Sequence, residues 1–114
     1  MLMNLSESEI KELQEKYSYL TNYESDDPTD PIDPLTYIDS NGDNLLHIAA
    51  QLGDLSTVQL LLTANLDVNQ PGDMGRTALH YAKENKKEDI VKLLLSHGAS
   101  TDIRDEFGKL AFES

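Results

Sequence analysis

Three histidines and a large excess of carboxylates are the side chains of this 114-residue sequence that could do chemistry. His47, His80 and His97 would titrate near neutrality, and beside a carboxylate any of them would suit a general base or a metal ligand. A metal site needs several ligands converging on one point. His47 and His80 instead stand 33 residues apart in matching contexts, Leu46-His47-Ile48-Ala49 and Leu79-His80-Tyr81-Ala82. There is no cysteine, so disulfides and thiolate ligands are excluded. The 21 Asp and Glu residues could supply a carboxylate pair by number, but nothing in their spacing puts two of them in a pocket. No glycine-rich phosphate loop, nucleophile elbow or metal motif occurs. The sequence therefore predicts no catalytic residue, no metal site and no cofactor.

Charge is more informative. The formal net charge is −12, which argues against direct binding of nucleic acid and points to a basic partner or to solubility. The imbalance is local: between Lys16 and Arg76 there is no Lys or Arg, and positive charge gathers later at Arg76, Lys83, Lys86, Lys87 and Lys92. The length suits a single domain. Met1-Leu2-Met3-Asn4 leads into acidic residues without a basic leader or a long apolar run, so the expectation is a cytoplasmic protein with no membrane partner.

The elements that must position these side chains show themselves as a repeat. Displacing the sequence by 33 residues lays Gly42 on Gly75 and Gly108, Leu46 on Leu79, Ala49 on Ala82, Val58 on Val91, and Leu60-Leu61-Leu62 on Leu93-Leu94-Leu95. Units of this size cannot bury their own apolar faces and must stack. Helical periodicity predicts short helices over Leu45 to Leu52, Leu55 to Thr63, Ala78 to Asn85 and Glu88 to Ser96, each pair preceded by a glycine turn. The fold class is then all-α, with repeat 1 at 39–71, repeat 2 at 72–104 and a truncated third unit at 105–114 acting as a cap. Lys86 falls where the first unit has Gly53, a departure in the turn between helices.

Residues 1–22 read as a capping helix. Ser6 and Glu9 form a capping box, Leu5 and Ile10 a hydrophobic staple, and Ile10, Leu13, Tyr17 and Leu20 one apolar stripe on a helix from Glu7 to Thr21. Residues 23–38 form an acidic connector in which Asp-Pro steps forbid a helix.

Gly75-Arg76-Thr77-Ala78-Leu79-His80-Tyr81-Ala82 and Asp89-Ile90-Val91-Lys92-Leu93-Leu94-Leu95-Ser96-His97-Gly98-Ala99 resemble an ankyrin repeat, whose pattern is a Gly turn, Thr-Pro-Leu-His, and a Val-Leu-Leu-Leu helix ending in Gly-Ala. The first unit departs from it, with Asn44-Leu45 in place of Thr-Pro and Asn65 in place of the terminal glycine. The resemblance spans Asp39 to Glu113. It implies a short solenoid of helix-turn-helix units with projecting β-turn fingers, and it makes His47 and His80 structural. The acidic chain with its N-terminal helix and its Gly72-Asp73-Met74-Gly75 and Asp105-Glu106-Phe107-Gly108 fingers is also similar to small bacterial ankyrin-type immunity proteins. That similarity implies binding and neutralisation of a cognate toxin domain, a basic nuclease being one candidate, with a generic ankyrin adaptor as the alternative.

Fingers projecting side by side would align Asn41, Met74 and Phe107, flanked by Ser40, Asp73 and Glu106, with Asp43, Arg76 and Asp105 close by. Two large apolar tips in an acidic rim suit an anchored protein interface. Gln51, Leu52, Glu84 and Asn85 occupy positions resembling the contact sites of the family. The expected partner is a protein, and the free chain is expected to be a monomer.

Overall fold

The computed structural model describes residues 5–113, so residues 1–4, which carry the expectation about a leader, lie outside the described part, as does Ser114. Among the described residues there are five α-helices and no named strand: α1 (Glu7–Lys16), α2 (Leu45–Leu52), α3 (Leu55–Thr63), α4 (Ala78–Glu84) and α5 (Glu88–Ser96). None is long and apolar enough to cross a membrane.

Helices α1, α2 and α4 each begin at a residue whose side chain caps the helix. Ser6, Asn44 and Thr77 sit in extended backbone and accept from the amide three residues on, satisfying a donor the helix itself leaves open. The helix pairs stack in two layers. α2 packs on α3 and α4 on α5 within a unit, while α2 meets α4 and α3 meets α5 between units. The inner pair approaches closely because Ala49, Ala50, Ala78 and Ala82 have no exposed surface and no bulk to hold the helices apart. Val58, Leu61, Ile90 and Leu94 fill the space towards the outer layer, all fully buried.

α1 is shorter than its apolar stripe suggests, ending at Lys16 rather than Thr21. Tyr17-Ser18-Tyr19 is a run of weak helix formers, and Tyr17 leaves helical geometry at φ −107°, ψ 29°. Its hydroxyl donates at 2.7 Å to Asp54, the N-cap of α3, which anchors the chain to the first unit. α4 stops at Glu84 with Asn85 as its cap, one residue short of the periodicity. Where the third repeat would begin its first helix, the described residues form a turn, closed by the Glu113 amide on the Leu110 carbonyl at 3.1 Å.

The departure at Lys86 leaves a mark. Gly53 takes φ +81° between α2 and α3, and Lys86 takes φ +59° at the equivalent place between α4 and α5. A left-handed lysine is strained by its Cβ by roughly 1 kcal/mol. Lys86→Gly is therefore expected to raise stability by about 0.5–1 kcal/mol, seen as a higher denaturant midpoint with an unchanged slope.

Candidate functional site

Three turns repeat one main-chain design. The amides of Asp39, Gly72 and Asp105 donate to the carbonyls four residues on, of Asp43, Arg76 and Lys109, at 2.9, 2.8 and 2.9 Å. The amides of Gly42, Gly75 and Gly108 donate back to Asp39, Gly72 and Asp105 at 3.1, 3.0 and 2.9 Å. All three glycines have φ between +71° and +94°, a region that favours a residue without Cβ. Met74, just before Gly75, is itself left-handed at φ +58°.

The fingers are tied to one another. The Glu106 amide donates to the Met74 carbonyl at 2.9 Å, and the Asp73 amide donates to Asp43 Oδ1 at 2.9 Å. The histidines tie each inner helix to the next turn. His47 Nδ1 accepts from the Asn44 amide at 2.9 Å and His80 Nδ1 from the Thr77 amide at 3.1 Å. With Nδ1 accepting, Nε2 carries the proton and donates to a carbonyl, Gln70 at 2.7 Å for His47 and Lys109 at 3.0 Å for His80. Burial holds the His47 imidazole below its usual titration range despite Asp43 at 3.8 Å, so the pair is not an ion pair at neutral pH. His97 lies apart and exposed. Among the described residues no three His, Cys, Asp or Glu side chains could hold a metal ion together.

The expected contact residues divide. Met74 and Phe107 are 45 % and 67 % exposed at adjacent finger tips, with Ser40, Asn41 and Glu106 also exposed. Gln51, Leu52, Glu84 and Asn85 are exposed at the ends of α2 and α4. Arg76 joins a finger to a helix end: its guanidinium lies 3.4 Å from Asp73, 3.3 Å from Glu84 and 4.9 Å above the centre of the Tyr81 ring. Between the second unit and the third finger is a cleft of about 210 Å³ lined by Arg76, Glu84, Asp105 and Phe107. His80, Lys109 and Leu110 line it too, and no repeat position or charge pattern marks them as contact residues. Asp105 holds its own turn, accepting from the amides of Lys109 and Phe107 at 3.0 and 2.8 Å, and the Lys109 bond first, then the Phe107 bond, keep its carboxyl below the usual range.

Asp43 is the correction. Expected on the acidic rim, it is buried, and Oδ1 accepts from the Tyr81 hydroxyl at 2.8 Å as well as from the Asp73 amide. Burial first, and then this carboxylate, push the Tyr81 phenol up. Gly72 closes the node from the other side, where an added Cβ would fall on Asp43 Oδ1 and lie 2.9 Å from the His47 ring. Asp43 therefore positions the second finger from within.

A family model described as ankyrin repeats, in three copies, matches residues 10–105, a stretch that takes in part of α1, the connector and all of α2 to α5. Over 79 residues the chain is 38% identical to the E3 ubiquitin-protein ligase hecd-1 of Caenorhabditis elegans, covering 69% of this chain and 3% of that protein. It is 37% identical over 78 residues to a putative ankyrin repeat-containing protein of Treponema pallidum, covering 68% and 26%. An ankyrin and IPT/TIG repeat-containing protein of Schizosaccharomyces pombe is 34% identical over 85 residues, covering 75% and 7%. The chain thus spans a small part of the length of these relatives. Repeats of this kind form protein-binding modules, and the stacked helix pairs, left-handed glycine turns and bridging histidines are their framework. The chain belongs to the ankyrin-repeat family.

Proposed function

We propose that the finger tips and the adjoining helix ends bind a basic protein, and that the chain is the immunity partner of a toxin whose cationic groove it occludes. The observation that carries this is the pairing of exposed Met74 and Phe107 on neighbouring fingers of a chain with net charge −12. Apolar anchors give affinity when desolvated, and an opposite field speeds encounter and selects the partner. Asp73, Glu84 and Glu106 supply carboxylates around the tips, whereas Asp43 acts only through the turn it holds. No step of chemistry on this chain is needed for neutralisation by occlusion.

Co-purification from the source cell followed by mass spectrometry identifies the partner. A basic protein whose toxicity is abolished by this chain is the expected result. Phe107→Ala is then expected to weaken the complex by roughly tenfold to a hundredfold and Met74→Ala by about tenfold, measured by calorimetry. Unchanged affinity in the double variant would remove the finger surface from the proposal.

A second reading has its own support. The relatives are longer proteins of which this chain matches 3%, 26% and 7%, so repeats of this type serve there as one part among others. On that reading the chain is an adaptor that positions another protein. Capture of a non-toxic partner through the same finger tips would favour it.

A further inference from the structure

The end of α1 and the connector build another surface, which ends at Ile38 where the first finger begins. Tyr19, Tyr23 and Ile38 are 66 %, 56 % and 49 % exposed there, a concentration of apolar area that no other part of the connector shares. Tyr23, Pro31, Ile32, Tyr37 and Ile38 line a groove of about 170 Å³, with Glu24 and Asp33 among its walls. The groove has a fixed floor. Ile32 and Tyr37 are buried, Gln14 Nε2 donates to the Ile32 carbonyl at 2.9 Å, and Asn22 Nδ2 donates to the Pro31 carbonyl at 3.0 Å. The Asn22 amide donates to the Pro28 carbonyl at 3.0 Å, so the Asp-Pro segment is folded back on itself.

Its charge is of one sign. No Lys or Arg occurs from Tyr17 to Gly75, and Asp26, Asp27, Asp30 and Asp39 add to Glu24 and Asp33. Glu24 is bonded through its backbone amide, to Asn22 at 3.0 Å, and among the described residues its carboxylate has no hydrogen-bonded partner. The Tyr37 phenol is pushed up by burial first, then by Asp39, Tyr23 and Tyr19, as befits three phenols and a carboxylate in one neighbourhood.

We propose that this groove receives an arginine side chain from a basic segment of a partner protein. The aliphatic stem of arginine would lie on Pro31 and Ile38, its planar cation against Tyr23, and its N–H groups on Glu24. Arginine fits such a site better than lysine because its flat, weakly hydrated cation stacks on a ring while still donating to a carboxylate. Lysine offers a compact, strongly hydrated charge that gains little from the ring face. This groove contains neither Met74 nor Phe107, so it and the anchor those two form can fail separately.

The test uses blocked penta-arginine and blocked penta-lysine as probes on the full chain at physiological salt, followed by calorimetry and by backbone amide shifts. Penta-arginine is expected to bind at least threefold more tightly than penta-lysine, with shifts concentrated in residues 19–38. Tyr23→Ala and Glu24→Gln, both at exposed positions, are expected to weaken penta-arginine at least fivefold, whereas Met74→Ala with Phe107→Ala leaves it unchanged. Equal affinity for the two peptides would overturn the proposal, as would shifts centred elsewhere or binding insensitive to Tyr23→Ala. A dimer by light scattering that Tyr23→Ala abolishes would also overturn it, since the occupant would then be a second copy of the chain.

Discussion

Asp43→Ala is expected to lower stability by about 3 kcal/mol, from the loss of two hydrogen bonds to a buried carboxylate and the stranding of their donors. Those donors are the Tyr81 hydroxyl at 2.8 Å and the Asp73 amide at 2.9 Å. The Tyr81 hydroxyl is buried with its bond, and the Asp73 amide is part-buried at the seam between the first two fingers. For a domain of this size the loss corresponds to a fall in melting temperature of roughly 10–15 °C. Asp43→Asn keeps an oxygen able to accept from both donors and is expected to cost only about 1 kcal/mol. Urea unfolding followed by circular dichroism measures all three proteins. Equal losses in the alanine and asparagine variants would show that charge matters here rather than the bridge. Because the node sets the second finger, Asp43→Ala is also expected to weaken partner binding without touching the partner.

The second large effect is at Asp54. It caps α3 by accepting from the Thr57 amide at 3.3 Å, and the same carboxylate takes the Thr57 hydroxyl at 2.6 Å, the Tyr17 hydroxyl at 2.7 Å and Lys16 Nζ at 3.3 Å. Asp54→Ala removes a helix cap and the anchor of the N-terminal segment together, a loss of about 2–3 kcal/mol. Partial burial acts to raise the Asp54 carboxyl. The Thr57 and Tyr17 hydrogen bonds and the Lys16 charge outweigh it, and the pKa falls from 3.8 to about 2.

A carboxyl whose pKa is lower in the folded state than in the unfolded one stabilises fully above the unfolded value. That stabilisation is lost as pH falls through the folded value. The stability difference between the wild type and Asp54→Asn should thus be flat from neutral pH down to about pH 5 and shrink steadily from about pH 4 to pH 2. Acid titrations of denaturant unfolding would show this. A difference that persists undiminished at pH 2 would mean that the cap is steric rather than ionic.

The framework was legible because it is written twice. His47 and His80, Gly42 and Gly75, and the two Leu-Leu-Leu runs each mark a local requirement, for a bridge, a left-handed turn or a buried stripe, and the requirement recurs every 33 residues. The role of Asp43 was hidden because its partners lie 30 and 38 residues away. A trace was present all the same, since Arg76 and Lys109 stand at the equivalent places and a lone carboxylate there had to answer to something outside the pattern. The end of α1 was overestimated because the stripe through Leu20 records burial, and burial continues past Tyr17 in a turn that is no longer helical. The groove at Tyr23 could not be seen either. Its floor is assembled by Gln14 and Asn22 reaching across to Ile32 and Pro31, and no local period reports such contacts.

The fingers close on main-chain bonds, and the first and third are further braced by Asp39 and Asp105 accepting from the amides of Asn41 and Phe107 at 2.9 and 2.8 Å. The side chains of Ser40, Asn41, Glu106 and Phe107 take no part in that closure. A library randomised at those four codons would accordingly display new tips on an unaltered framework, and selection from it would yield variants that differ in target while sharing one unfolding curve. Lineages could likewise exchange specificities through a handful of point mutations, with folding left out of the contest.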